Sequence, residues 1–157
     1  QLTVIGREFA KIGFFDRAID CFKTADNKQE LRNIGEKCLE NGNLRNALEA
    51  FKSLEAKERL KIIGQECMEK SKYSLALEAF EALGELDKLT ELGDRAADDM
   101  EMGFAVKAYQ LSGAMERLNK MGDQCLREGQ YQTALDIYKV TENENMISFI
   151  MKNLQNA

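Results

Sequence analysis

Glycine recurs in this chain at one constant step, at Gly6, Gly35, Gly64, Gly93 and Gly122. Ala18, Ala47, Ala76, Ala105 and Ala134 keep the same step, as do Phe22, Phe51, Phe80, Tyr109 and Tyr138. Three small or aromatic positions repeating in phase mark an array of like units. A unit of about 29 residues cannot bury an apolar face alone, so its stability comes from stacking on its neighbours. The period therefore predicts an all-α solenoid.

The second unit shows how one repeat folds. Leu31, Ile34, Gly35, Cys38 and Leu39 fall at helical spacing and form one apolar stripe. Gly42 follows, where helices commonly end in a left-handed residue. Leu44, Ala47, Leu48, Phe51 and Leu54 then make a second stripe. The unit is expected to be two antiparallel helices joined by a tight turn, helix A over 29–41 and helix B over 43–55. Applied to the whole chain, this gives a single array over 1–157 with hairpins at about 1–26, 29–55, 58–84, 87–113 and 116–142. A final helix over 145–156 restarts the pattern with Ile147, Ile150, Met151 and Leu154 and covers the fifth hairpin. Proline is absent and Ala, Leu, Glu and Lys are abundant, which favours helix throughout.

A glycine inside each helix A costs about 0.5–1 kcal/mol relative to alanine. Its fixed phase beside Ile34, Ile63, Leu92 and Met121 points to a packing reason. The expectation is that Gly35 faces Ala47, two small residues letting the helix backbones approach, with Phe51 filling the volume beside the crossing. The turn position reads Gly13, Gly42, Ser71, Met100 and Gly129, so the fourth repeat departs from the pattern. Either helix A ends differently there, with Gly103 shifting the turn and bending the array, or an ordinary turn carries unusual residues. Leu2, Ile5 and Phe9 begin the chain with no polar cap before them. Since solenoid ends need polar outer faces, the chain is read as a piece of a longer protein whose array continues or stacks at its ends.

The formal net charge of −5 disfavours direct contact with nucleic acid, where Lys and Arg dominate phosphate binding. No apolar run is long enough to span a bilayer, so no membrane insertion is expected. Histidine is absent and the four cysteines have no CxxC spacing, which leaves no common zinc site. Cys38, Cys67 and Cys125 share one repeat position, three after the glycine, and read as small buried hydrophobes. Free buried thiols suit a reducing compartment, so the expected location is intracellular and cytoplasmic.

The succession of a hydrophobic residue, glycine, cysteine or leucine, glycine, aromatic, Ala-Leu and aromatic resembles the tetratricopeptide repeat. The stretch Gly129-Gln130-Tyr131-Gln132-Thr133-Ala134-Leu135-Asp136-Ile137-Tyr138 is similar to the second half of that motif, and Leu92-Gly93 and Ile34-Gly35 to its first. The resemblance covers Leu2 to Tyr138. The family repeat is longer and ends in proline, whereas this one is shorter, with no proline and no early tryptophan. Shorter hairpins of this kind resemble those in solenoid arms of vesicle-coat and intraflagellar-transport proteins, and tetratricopeptide-like tails of large ATPases or helicases. The resemblance implies a right-handed superhelix whose A helices line a concave groove for peptides. The family's carboxylate-clamping Lys and Asn pattern is not matched at Arg32, Asn33, Glu36, Lys61, Gln65, Glu91 and Asp94.

One exposed flank of helix A lies three before, one after and five after the glycine. It offers candidate partner-binding residues Arg32, Glu36, Glu40, Lys61, Gln65, Glu69, Asp94, Asp98, Asp123 and Arg127. Its middle is acidic, while Arg7, Lys11 and Arg127 make the ends basic. A concave acidic trough would favour a basic or basic amphipathic segment; a solvated charged face, with Arg32 and Glu36 as a local pair, is the alternative. Leu39, Met68 and Leu126 suggest an apolar floor in either case. With no histidine, no nucleophile–base set and no phosphate loop, no enzymatic role and no cofactor are expected. The function expected is a non-catalytic scaffold for a protein or peptide partner of basic character. A structural arm of a coat or transport complex, or a regulatory region of a large ATPase or helicase, is the alternative.

Overall fold

The computed structural model describes residues 1–154. Its described residues form eleven α-helices and no strand. Ten pair as hairpins: α1 (Leu2–Lys11) with α2 (Phe15–Thr24), α3 (Lys28–Glu40) with α4 (Leu44–Ser53), and α5 (Lys57–Glu69) with α6 (Tyr73–Leu83). The series continues with α7 (Leu86–Asp98) on α8 (Met102–Ser112) and α9 (Met115–Arg127) on α10 (Tyr131–Val140). The helix α11 (Glu144–Leu154) packs on α10 and buries Ile150. The last residues of the expected final helix, 155 and 156, lie outside the described residues. Two compact units divide the chain, one holding α1 to α6 and the other α7 to α11.

Packing, more than capping, orders these helices. Asn27, Asn43 and Asn143 cap the helix that follows them, on the N–H groups of Glu30, Asn46 and Met146. The starts of α2, α5, α6, α8, α9 and α10 have no such side-chain bond. The apolar stripes do the rest. In the first unit Ile19, Phe22, Leu44, Leu48, Phe51, Ile63 and Phe80 are all sealed from solvent. The shared cysteine position is buried at Cys38, Cys67 and Cys125, as its spacing predicts, and all four thiols are free. Burial raises the Cys38 and Cys67 thiols to about 11, with smaller opposing effects of Lys37 on the first and Lys72 on the second.

The glycine faces a different partner from the one expected. A Cβ on Gly35 would lie 2.9 Å from Cζ of Phe51 and 3.2 Å from Cβ of Ala50. On Gly64 it would lie 2.6 Å from Cε1 of Phe80, and on Gly93 2.5 Å from Cε1 of Tyr109. The aromatic ring, not the Ala47 position, fills the notch over the missing side chain. Ala47 and its equivalents are fully buried without being the group that requires the glycine.

The fourth repeat also keeps the ordinary turn. Met100 takes the left-handed backbone (φ 63°) of Gly13, Gly42, Ser71 and Gly129. Its N–H donates to the Ala97 carbonyl at 3.0 Å and the Glu101 N–H to the Ala96 carbonyl at 2.7 Å. This is the paired closure of a helix C-terminus that ends in a left-handed residue, and Gly42 and Gly129 close in the same way. Gly103 lies inside α8 and shifts nothing. A side chain in this conformation costs about 1–2 kcal/mol. The turns between hairpins use the same device at Asp26, Glu55, Gly84, Gly113 and Glu142, which keep the constant step of the repeat.

Candidate partner-binding groove

Two clefts, one in each unit, are built from equivalent positions on successive A helices. In the first unit a cleft of about 260 Å³ lies between α1 and α3. Arg7, Ala10 and Lys11 stand on one side, one, four and five residues after their glycine. Glu30, Asn33, Ile34 and Lys37 stand on the other. In the second unit a cleft of about 460 Å³ lies between α7 and α9, with Asp94, Ala97 and Asp98 facing Arg117, Lys120, Met121 and Gln124. These are the same repeat positions, and in each cleft the hairpin's aromatic residue, Phe22 or Tyr109, stands at the back. Equal spacing places them there because, within each unit, one A helix presents the same flank to the next.

The residue one after the glycine is tied to the next A helix wherever an opposite charge stands at the matching place there. Arg7 pairs with Glu30 at 2.6 Å, Glu36 with Arg59 at 2.8 Å, and Asp94 with Arg117. The three pairs span the same separation along the chain. Gln65 instead donates to Glu69 at 3.2 Å along its own helix. The acidic flank is thus partly neutralised by arginines of the neighbouring repeat, Arg59 and Arg117. Their sequence signal is the opposite charge at that fixed separation. Arg32 does not pair with Glu36, whose partner is Arg59.

The remaining candidates divide by side of the helix. Asp94 and Asp98 share the second unit's cleft. Glu40 and Arg127 are exposed at the position five after the glycine, as Glu69 is. Arg32 and Lys61, three before the glycine, lie on a side that meets the linker to the following repeat: Lys61 pairs with Glu85 at 3.5 Å. Asn119, at the same position, accepts from Asn143 at 2.9 Å. Asp123 accepts from the Tyr138 hydroxyl at 2.6 Å, and Asp94 from the Tyr109 hydroxyl at 2.7 Å. Burial first, and these carboxylates second, raise both tyrosines above their ordinary range. Of the expected apolar floor, Met68 is sealed in the core while Leu39 and Leu126 are half-buried. Methionine instead enters the groove in the second unit, at Met100, Met102 and Met121.

No protein-family model matches the chain, and no curated protein matches its sequence. Among the described residues no helix is long and apolar enough to cross a membrane.

Proposed function

We propose that this chain is a non-catalytic, tetratricopeptide-like scaffold that holds a partner segment of basic character along its A-helix groove. The observation that carries the reading is the second unit's cleft between successive A helices, where Asp94, Asp98 and Glu128 outnumber Arg117 and Lys120. Asp98, which has no cation partner among the described residues, supplies the attraction for a cationic segment there, whereas the first unit's cleft is lined by Arg7, Lys11 and Lys37 against Glu30 and offers none. The free, buried thiols suit the reducing interior of a cell.

The test is an affinity capture that compares the native protein with one carrying Glu36→Lys, Glu40→Lys, Glu69→Lys, Asp94→Lys and Asp98→Lys. Partners released by the reversal, with helicity unchanged, place binding in the groove. Partners retained move the site elsewhere.

One observation favours the alternative of a structural arm. Leu2 and Ile5 are 40% and 46% exposed on α1, whereas their equivalents Leu31 and Ile34 are 3% and 4% exposed. The matching stripe is buried on α3, against which both α2 and α4 pack. Leu2→Glu with Ile5→Glu, which touches neither cleft, would leave groove-bound partners in place and release partners that stack on this face.

A further inference from the structure

No packing within the described residues accounts for the side chain of Met100. Glycine fills the same turn in three hairpins and serine in a fourth, all with left-handed backbone. Met100 accepts that strain, yet it is 72% exposed. Asp26, Glu55 and Glu142 carry the same backbone in other turns; what sets Met100 apart is a large apolar side chain left exposed beside a cleft. Met100 lines the α7–α9 cleft together with Met102 and Met121.

The charge left over in this cleft is negative. Asp94 is neutralised by Arg117, and Lys120 pairs with Glu116 at 2.8 Å. Asp98 has no cation partner among the described residues. Glu128 is met by the side-chain amides of Gln124 and Gln130, at 2.9 and 3.3 Å.

Resting on the groove reading above, we propose that this cleft seats a long cationic side chain, arginine or lysine, from a basic amphipathic partner segment. Its methylene stem crosses the thioethers of Met100, Met102 and Met121, and its cation meets Asp98 and Glu128. Such stems cover apolar surface while their heads stay polar, and methionine adapts to whatever lies on it. The cleft supplies both halves of that recognition within one space.

The probe is a fluorescein-labelled peptide of alternating arginine and leucine, read by anisotropy and by the methyl NMR signals of the methionines. Peptides of alternating glutamate and leucine, and of arginine and serine, are the controls. The arginine–leucine peptide is expected to bind best and to move the Met100 and Met102 signals while leaving buried Met68 in place. Met100→Gly and Asp98→Asn should each weaken binding by about fivefold, the equivalent of one modest contact. Met100→Gly should also melt at a higher temperature, which separates lost affinity from lost fold. Binding untouched by both variants, unmoved methionine signals, equal binding of the glutamate peptide, or no binding of any peptide each overturns the assignment to this cleft. The groove reading is judged separately, by the charge reversal in the affinity capture.

Discussion

In the first unit a phenylalanine ring lies over each A-helix glycine: Phe22 on Gly6, Phe51 on Gly35 and Phe80 on Gly64. In the second unit tyrosines take that place, Tyr109 on Gly93 and Tyr138 on Gly122, and each hydroxyl reaches the aspartate that follows its glycine. The phenylalanines are positioned by contact alone. The tyrosines are positioned by contact and by a charge-assisted hydrogen bond. At Asp94 the same carboxylate also holds Arg117 of the next A helix. One group there links helix to helix within a hairpin and hairpin to hairpin across the cleft. In the first unit those two tasks fall to different atoms.

The difference is sharpest when the notch is filled. Gly93→Ala is expected to cost about 3 kcal/mol and Gly64→Ala about 2, since both overpack but the hydroxyl keeps Tyr109 from sliding away. Urea unfolding midpoints measure both; equal losses would show that the hydroxyl does not fix the ring. Tyr109→Phe should cost about 1.5 kcal/mol, a hydrogen bond to a charged acceptor. The reverse graft, Phe80→Tyr, should destabilise by about 1 kcal/mol on its own and recover when Gln65→Asp supplies the missing acceptor. A double variant no better than the single one would break the comparison.

A smaller effect of opposite sign is expected at the turn. Met100→Gly should stabilise by about 1 kcal/mol by relieving the left-handed backbone. Ser71→Gly serves as its counterpart in the first unit, measured by thermal melts.

The smallest effect lies on the B helices. The Lys23–Glu49 pair holds the Glu49 carboxyl below its ordinary value, chiefly by the hydrogen bond from Lys23, and the same bond raises Lys23. The glutamate's contribution is present above its unfolded value and is lost as pH falls through the folded one. The lysine's is present below its unfolded value and is lost as pH rises through the folded one. Both side chains are only partly buried and solvent screens the pair, so Glu49→Gln should cost only a few tenths of a kcal/mol near neutral pH. The gap from the native protein should close in acid. A pH series of melts checks this. In the second unit the equivalents of Lys23 are Gln110 and Lys139, and Lys139 pairs with Asp136 on its own helix rather than with another B helix.

Much of the fold is legible in the constant step from Gly6 to Gly122, because a fixed phase of glycine, alanine and aromatic residues leaves few ways to stack helices. The helix A and helix B ranges of the second repeat are met within one or two residues by α3 and α4. The aromatic partner of the glycine is not legible there. Ala47 and Phe51 both lie in helix B, and only the crossing geometry decides which one faces the notch of Gly35. The second set of turns escapes a sequence reading because Asp26, Glu55 and Glu142 carry the left-handed backbone without being glycine. In the groove, the acidic flank is visible but its neutralisation is not, since Arg59 and Arg117 belong to the following repeat. One signal lies in plain view: aspartate follows the glycine only in the two repeats that carry tyrosine.

The buried cysteines have a consequence of their own. Cys38, Cys67 and Cys125 sit in the second, third and fifth hairpins, each beneath its own helix pair. Cys38 and Cys67, which line neither cleft, meet an oxidant or alkylator only when their hairpins breathe, whereas Cys125 borders the α7–α9 cleft. The two sealed sulfurs therefore act as clocks. The interval before each one reacts records how often that stretch of the array comes apart, with half-buried Cys21 keeping the fastest time.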